Sequence, residues 1–190
     1  LENRPSAEPM ETTPNRFALS CYEWVEALIP ALIVIMIFFT FLFRVITVNG
    51  PSMLPNFQNG YKVFVSCADR HFSRGDVVVV DARGISLHEV IIKRVIATEG
   101  QTVDIDFQTG TVSVNGVALD ESEYIQNGIT KNQYDLHFPQ TVPAGHVFVL
   151  GDNRRVSDDS RSSDVGMIDR RYVIGKVKTI IIPPGKFGTI

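Results

Sequence analysis

Cysteine is almost missing from this sequence: Cys21 and Cys67 are the only two among 190 residues. They stand on opposite sides of the one long apolar run, so if that run crosses a membrane they cannot pair within one molecule. Neither has a partner at metal-ligand spacing, and no pair of histidines or carboxylates has one either, which leaves a metal centre without candidates. Positive charge is also short. The formal net charge is -3 and the pI about 5.8, with no basic stripe, so nucleic-acid binding lacks its electrostatic footprint. Helical periodicity is absent beyond residue 50, and no internal repeat is visible, which excludes a helical bundle or solenoid for the larger part of the chain.

The one long apolar run is Ala27 to Phe43, free of charge and bounded by Glu26 and Arg44. With Val45 to Val48 it reaches residue 48. Seventeen to twenty-two helical residues cover about 26 to 33 Å, a match to a hydrocarbon core. The run is apolar on all sides, as expected of a transmembrane helix over 27–48 rather than an amphipathic surface helix. Pro30 then falls in the first turn, where its missing N–H costs little. Residues 1–26 carry Glu2, Glu8, Glu11, Glu23 and Glu26 against Arg4 and Arg16, an acidic tail expected to be disordered. There is no basic start, short apolar region and small-x-small site, so the span is expected to stay as an anchor. Near its ends Arg16 faces Arg44 and Lys62, and this charge balance does not favour an external position for residues 49–190.

Those remaining residues, about 140, suffice for a single domain with one core. They read as short strands: Lys62 to Ser66, Asp76 to Asp81, a longer one over His88 to Thr98, Gln101 to Asp106, Thr111 to Val114, Val117 to Leu119, His146 to Leu150 and Val173 to Ile182. Asn115-Gly116 is a two-residue hairpin signal. Asp120 to Gln140 is polar and irregular and is expected to be a surface loop or small insertion. The fold class is therefore all-β, preceded by one membrane helix.

Three stretches carry chemistry. Gly50-Pro51-Ser52-Met53-Leu54-Pro55 puts a serine eight residues beyond Arg44, a tether of at most about 28 Å. On its own such a turn is an ordinary loop. Ile91-Ile92-Lys93-Arg94-Val95-Ile96 sets a lysine inside an apolar strand. Gly151-Asp152-Asn153-Arg154-Arg155-Val156-Ser157-Asp158-Asp159-Ser160-Arg161 concentrates polar groups after another strand. A serine becomes a useful nucleophile only with a base. Lysine can be that base when burial disfavours its ammonium form, and alternation puts Lys93 on the face of Ile91 and Val95. Arg94 faces the other way and keeps its proton. A Ser-His arrangement is the rival, with His146 nearest a carboxylate-bearing loop; His71, His88 and His137 complete the set.

Together with Arg74-Gly75-Asp76, these stretches resemble the bacterial type I signal peptidases over roughly Thr47 to Val177 and the preceding anchor, the loop GDNxxxSxDSR being the most specific. The resemblance implies a membrane-anchored serine endopeptidase that cuts signal peptides from exported preproteins after small residues, using a Ser52/Lys93 dyad and no cofactor. It implies that Ser157 aims the Lys93 amine, that Asp159 pairs with Arg161 and Asp152 with Arg94, and that Met53 and Ile92 line the substrate pocket. The oxyanion hole falls at Ser52, through its N–H, and at Gly50, where other members carry a serine hydroxyl; glycine leaves the second donor open. The implied setting is a bilayer, with residues 49–190 on the extracytoplasmic side and the chain a monomer. A self-cleaving repressor of the related Ser/Lys families, and an anchored β module that binds exported peptides without cutting them, are the alternatives.

Overall fold

The computed structural model describes residues 16–84, 87–125, 129–186 and 188. The chain divides into two compact units, residues 1–40 and 41–190. Helix α1 runs Arg16–Leu42, and its segment Cys21–Leu42, 22 residues of mean hydropathy 2.5, has its side chains exposed. Such a length spans about 33 Å, and an exposed apolar surface all round is what lipid requires. Thr40 donates its hydroxyl to Met36 O at 2.7 Å, so the one polar side chain near the end is satisfied within the helix.

Two boundaries differ from the sequence pattern. The helix starts at Arg16, so residues 16–26 of the acidic tail are helical and Pro30 lies well inside the helix rather than in its first turn. The tail's residues 1–15 lie outside the described residues. At the other end, residues 43–47 leave the span and form β1 (Phe43–Thr47), which pairs antiparallel with β2 (Lys62–Ser66). Phe43, Val45 and Ile46 suit either environment; the pairing partner, invisible in a local reading, decides.

The remaining strands are β3 (Val77–Asp81), β4 (Val90–Thr98), β5 (Thr102–Asp106), β6 (Thr111–Val114), β7 (Val117–Ala118), β8 (Gln140–Thr141), β9 (His146–Leu150), β10 (Ile168–Asp169) and β11 (Val173–Ile182). A seven-stranded sheet has the order β1-β2-β11-β3-β4-β9-β10, and a four-stranded one β7-β6-β5-β8, with all pairs antiparallel. The two-residue strands β8 and β10 are too short to leave a sequence pattern. At the β6–β7 turn Asn115 and Gly116 have φ of 53° and 78°, the left-handed pair a tight primed turn requires.

Strand β4 is the central element because three apolar clusters draw on it. Ile91 and Val95 enter the cluster of Val78, Val80 and Val149; Ile92 enters that of Val48, Met53 and Phe57; Ile96 and Ala97 enter that of Val103, Phe148 and Leu150. A register shift between Val95 and Ala97 against β9 interrupts the two-residue alternation and admits the third cluster. With both faces covered, the charged residues of β4, Lys93 and Arg94, are buried as well, 3% and 6% exposed.

Candidate active site

The Ser52 turn is the connection between β1 and β2, and its base is closed by Val48 N–H donating to Tyr61 O at 2.8 Å and Gly60 N–H to Val48 O at 2.9 Å. Met53 and Phe57, both buried, fasten it from below, with Phe57 N–H donating to Met53 O at 2.9 Å. The loop after β9 fastens it from the side. Asn153 donates its N–H to Ser52 O at 2.9 Å and its amide to Pro51 O at 3.2 Å, while Asn56 donates to Asp152 Oδ2 at 2.8 Å. A nucleophile turn held on two sides keeps its side chain in one place, which is the condition for a near-attack geometry.

Ser52 and Lys93 line one cavity of about 220 Å³, together with Gly50, Ile92, Glu89 and Asp158. Ser52 is half-buried. Burial holds the Lys93 ammonium below its usual pKa, while the carboxylates of Asp159, Asp158 and Glu89 pull it back up and Arg161 pushes it down. Desolvation is the largest of these effects and leaves the amine available as a base. Ser157 Oγ is fully buried and has no hydrogen-bond partner among the described residues, an orphaned hydroxyl of a kind folded proteins avoid without a reason.

Charge pairing holds the loop rigid. Asp152 takes both Nε and Nη2 of Arg94 at 2.8 Å, and Arg94 Nη1 also donates to Gly75 O at 2.9 Å, which ties in the Arg74-Gly75-Asp76 turn. Asp159 accepts from Arg161 at 2.8 and 3.0 Å, both residues wholly buried. A third buried pair lies outside the sequence reading: Arg154 donates to Glu121 at 2.8 and 2.6 Å, to Thr130 at 2.5 Å and to Gly151 O at 2.9 Å. Tyr124 and Tyr134 lie under the guanidinium groups of Arg94 and Arg161, at 4.4 and 5.0 Å. The stretch Asp120 to Gln140 is largely at the surface among its described residues, as expected, but it is anchored at buried points. It is irregular, yet Glu121, Ile125 and Thr130 are buried, and it packs on the 151–161 loop. The available signal was two tyrosines and a glutamate in a stretch facing three arginines.

Gly50 lines the cavity but has no side chain to donate, and its N–H donates to Asn59 Oδ1 at 3.0 Å. The Ser52 N–H has no such engagement among the described residues. Met53 is 1% exposed and does not line the cavity; it lies in the apolar cluster that includes Ile92, which does line it. No histidine lines this cavity among the described residues. His146 accompanies Asp169 across β9 and β10 instead, and its Nδ1 is 2.9 Å from Ala144 O. No group of residues that could hold a metal occurs among the described residues.

A serine and a buried lysine whose pKa is lowered by burial share one cavity on an antiparallel β scaffold, and the chain carries an apolar helix that fits a membrane-anchored protein. The family model described as signal peptidase, peptidase S26, matches residues 21–182. Signal peptidase I of Bacillus licheniformis is 34% identical, covering 86% of this chain and 90% of the relative; signal peptidase I S of Bacillus subtilis is 32% identical, with 86% and 90% covered. A crystal structure of a signal peptidase I from Enterococcus faecalis is 26% identical, with a TM-score of 0.42, covering 56% of this chain and 96% of that one. The chain belongs to the signal peptidase family, peptidase S26. Its function is that of a signal peptidase I, a serine-type endopeptidase.

Proposed function

We propose that Ser52 and Lys93 form the catalytic dyad. The observation that carries this is the shared cavity, in which the lysine is 3% exposed and burial lowers its pKa. The neutral Lys93 amine takes the Ser52 Oγ proton as the oxygen attacks the scissile carbonyl, and the Ser52 N–H stabilises the oxyanion. Lys93 then passes the proton to the leaving amine. A water activated by the same amine releases the acyl group, restoring Ser52. Ser157, whose buried Oγ otherwise lacks a partner among the described residues, accepts from the amine and aims it, and the Asp152–Arg94 and Asp159–Arg161 pairs hold strand and loop together.

The substrate lies extended beside the strand bearing Ile92 and Lys93, held by main-chain hydrogen bonds, with alternate side chains entering the protein. Ile92 gives this small cavity an apolar patch, so alanine is preferred one and three positions before the cut. Residues Cys21–Leu42 anchor the chain in the bilayer, the β unit acts on the extracytoplasmic side as a monomer, and preproteins meet it there. The test is incubation with a preprotein and sequencing of the new N-terminus. A cut after Ala-X-Ala, absent in Ser52→Ala and in Lys93→Arg, is expected; full activity in Lys93→Arg would end the dyad, because guanidinium cannot accept the proton.

A further inference from the structure

Ser52 lines one cavity, and Leu54, two residues on, lines a second. Ser52 shares the first with Lys93; the second is larger, about 460 Å³, and its wall continues from Leu54 through Ile125, Ile129 and residues 152–156. Val156, 53% exposed, lines both. Asn153, which also lines the larger cavity, is bonded to the carbonyls of Pro51 and Ser52, so this wall is fixed relative to the nucleophile. A peptide that fills the smaller cavity with residues before its scissile bond must continue over Ser52. The next three extended residues reach about 10 Å, and Val156, shared by both cavities, marks the way from one to the other.

The two cavities differ in free charge. In the smaller one Glu89 and Asp158 are exposed, and neither has an ion-pair partner among the described residues. In the larger one Asp152 is committed to Arg94 and Asn56, and Arg154 to Glu121. That leaves Arg155, which is exposed; its carbonyl accepts from Asn132 at 2.6 Å, while its guanidinium has no partner among the described residues. The only uncommitted charge lining this cavity among the described residues is thus positive.

We propose that the larger cavity receives the residues that follow the scissile bond, and that Arg155 makes it select acidic side chains there and reject basic ones. This rests on the signal-peptidase reading, which puts the residues before the bond against Ile92. Arg155 acts on binding of the leaving segment, through a charge that costs no burial and gains from a carboxylate placed within a few ångströms.

The experiment uses the full chain in detergent micelles and peptides with one Ala-X-Ala site, carrying Asp, Ser or Lys at the first, second or third position after the cut. At one position at least, kcat/KM for Asp exceeds that for Lys by about fivefold or more, equivalent to about 1 kcal/mol. Arg155→Glu reverses that order, gaining on the Lys peptide, and raised salt shrinks the difference. If Arg155→Glu does not fold, Arg155→Gln is read instead and brings the ratio close to one. Asp and Lys peptides cut within twofold of each other at all three positions, or a preference that survives in either variant, overturns the inference while leaving the peptidase reading intact. If no Ala-X-Ala peptide is cut at all, the reading itself fails and takes the inference with it.

Discussion

Gly151→Ala isolates the geometry of the site from the stability of the fold. A Cβ added at Gly151 would stand 2.6 Å from Ser52 O and 2.5 Å from Ser157 Cβ, and closer still to Ser157 Oγ. Real Cβ contacts essentially never fall below 3.0 Å, so both serines must withdraw by several tenths of an ångström. They move together, because Asn153 ties the Ser52 carbonyl to the same loop. A displacement approaching 1 Å at a nucleophile costs on the order of 100-fold. The expected fall in kcat/KM is about 30- to 100-fold, or about 2–3 kcal/mol of barrier. Gly175→Ala is the matched control. Its Cβ would meet Ser66 C at 2.8 Å and Val65 Cγ1 at 2.9 Å, an overpacking of about 1–3 kcal/mol that touches no residue of the site. It should lower the melting temperature by several degrees while activity per folded molecule stays near the parent value. Gly84→Ala, whose nearest neighbour is Tyr172 at 3.7 Å, should be silent in both. The assay is peptide cleavage alongside thermal melting of each variant. Near-parental kcat/KM in folded Gly151→Ala, or equal losses in Gly151→Ala and Gly175→Ala, would refute the reasoning.

The Lys93 amine sets a pH dependence of definite sign. Burial lowers its pKa from 10.5, so the unfolded chain binds a proton that the folded one has released between the depressed value and 10.5. Stability therefore rises with pH across that window, and melts of Lys93→Met should lack this rise. Activity should rise through the depressed pKa, and Asp158→Asn, which removes a carboxylate that favours the ammonium form, should move that rise to lower pH in a kcat/KM profile. Glu121→Ala strands the Arg154 charge in a buried site and should cost about 3–5 kcal/mol in denaturant unfolding; a loss within about 0.5 kcal/mol, as for an ordinary surface position, would mean the pair is not buried in solution. For specificity, peptides with Leu in place of Ala immediately before the cut should resist the parent enzyme, Leu two positions before should be tolerated, and Ile92→Ala should relax the first restriction; efficient cutting after Leu by the parent would contradict the small Ile92 pocket.

Local pattern determined much of this protein. The apolar helix, the strands of four or more residues from Lys62 onward to within two residues at their ends, the Asn115-Gly116 turn and the polar loop at Gly151 are legible because each depends on residues within a few positions of itself. The same holds for the burial of Lys93: a lysine set in the apolar run Ile91 to Ile96 is buried where that strand packs on both faces, and burial lowers its pKa. Tertiary structure decided what depends on partners distant in sequence. Phe43 to Thr47 became a strand because Lys62 to Ser66 was there to pair with it. The stretch from Asp120 became part of the active-site scaffold because Glu121 found Arg154, 33 residues away, and Tyr124 found Arg94. The Gly50 N–H found Asn59 as its acceptor, and Met53 sank into the core while Ile92 kept the cavity wall. A side chain's periodicity gives its face; only the packed neighbours settle whether that face is core, cavity or solvent.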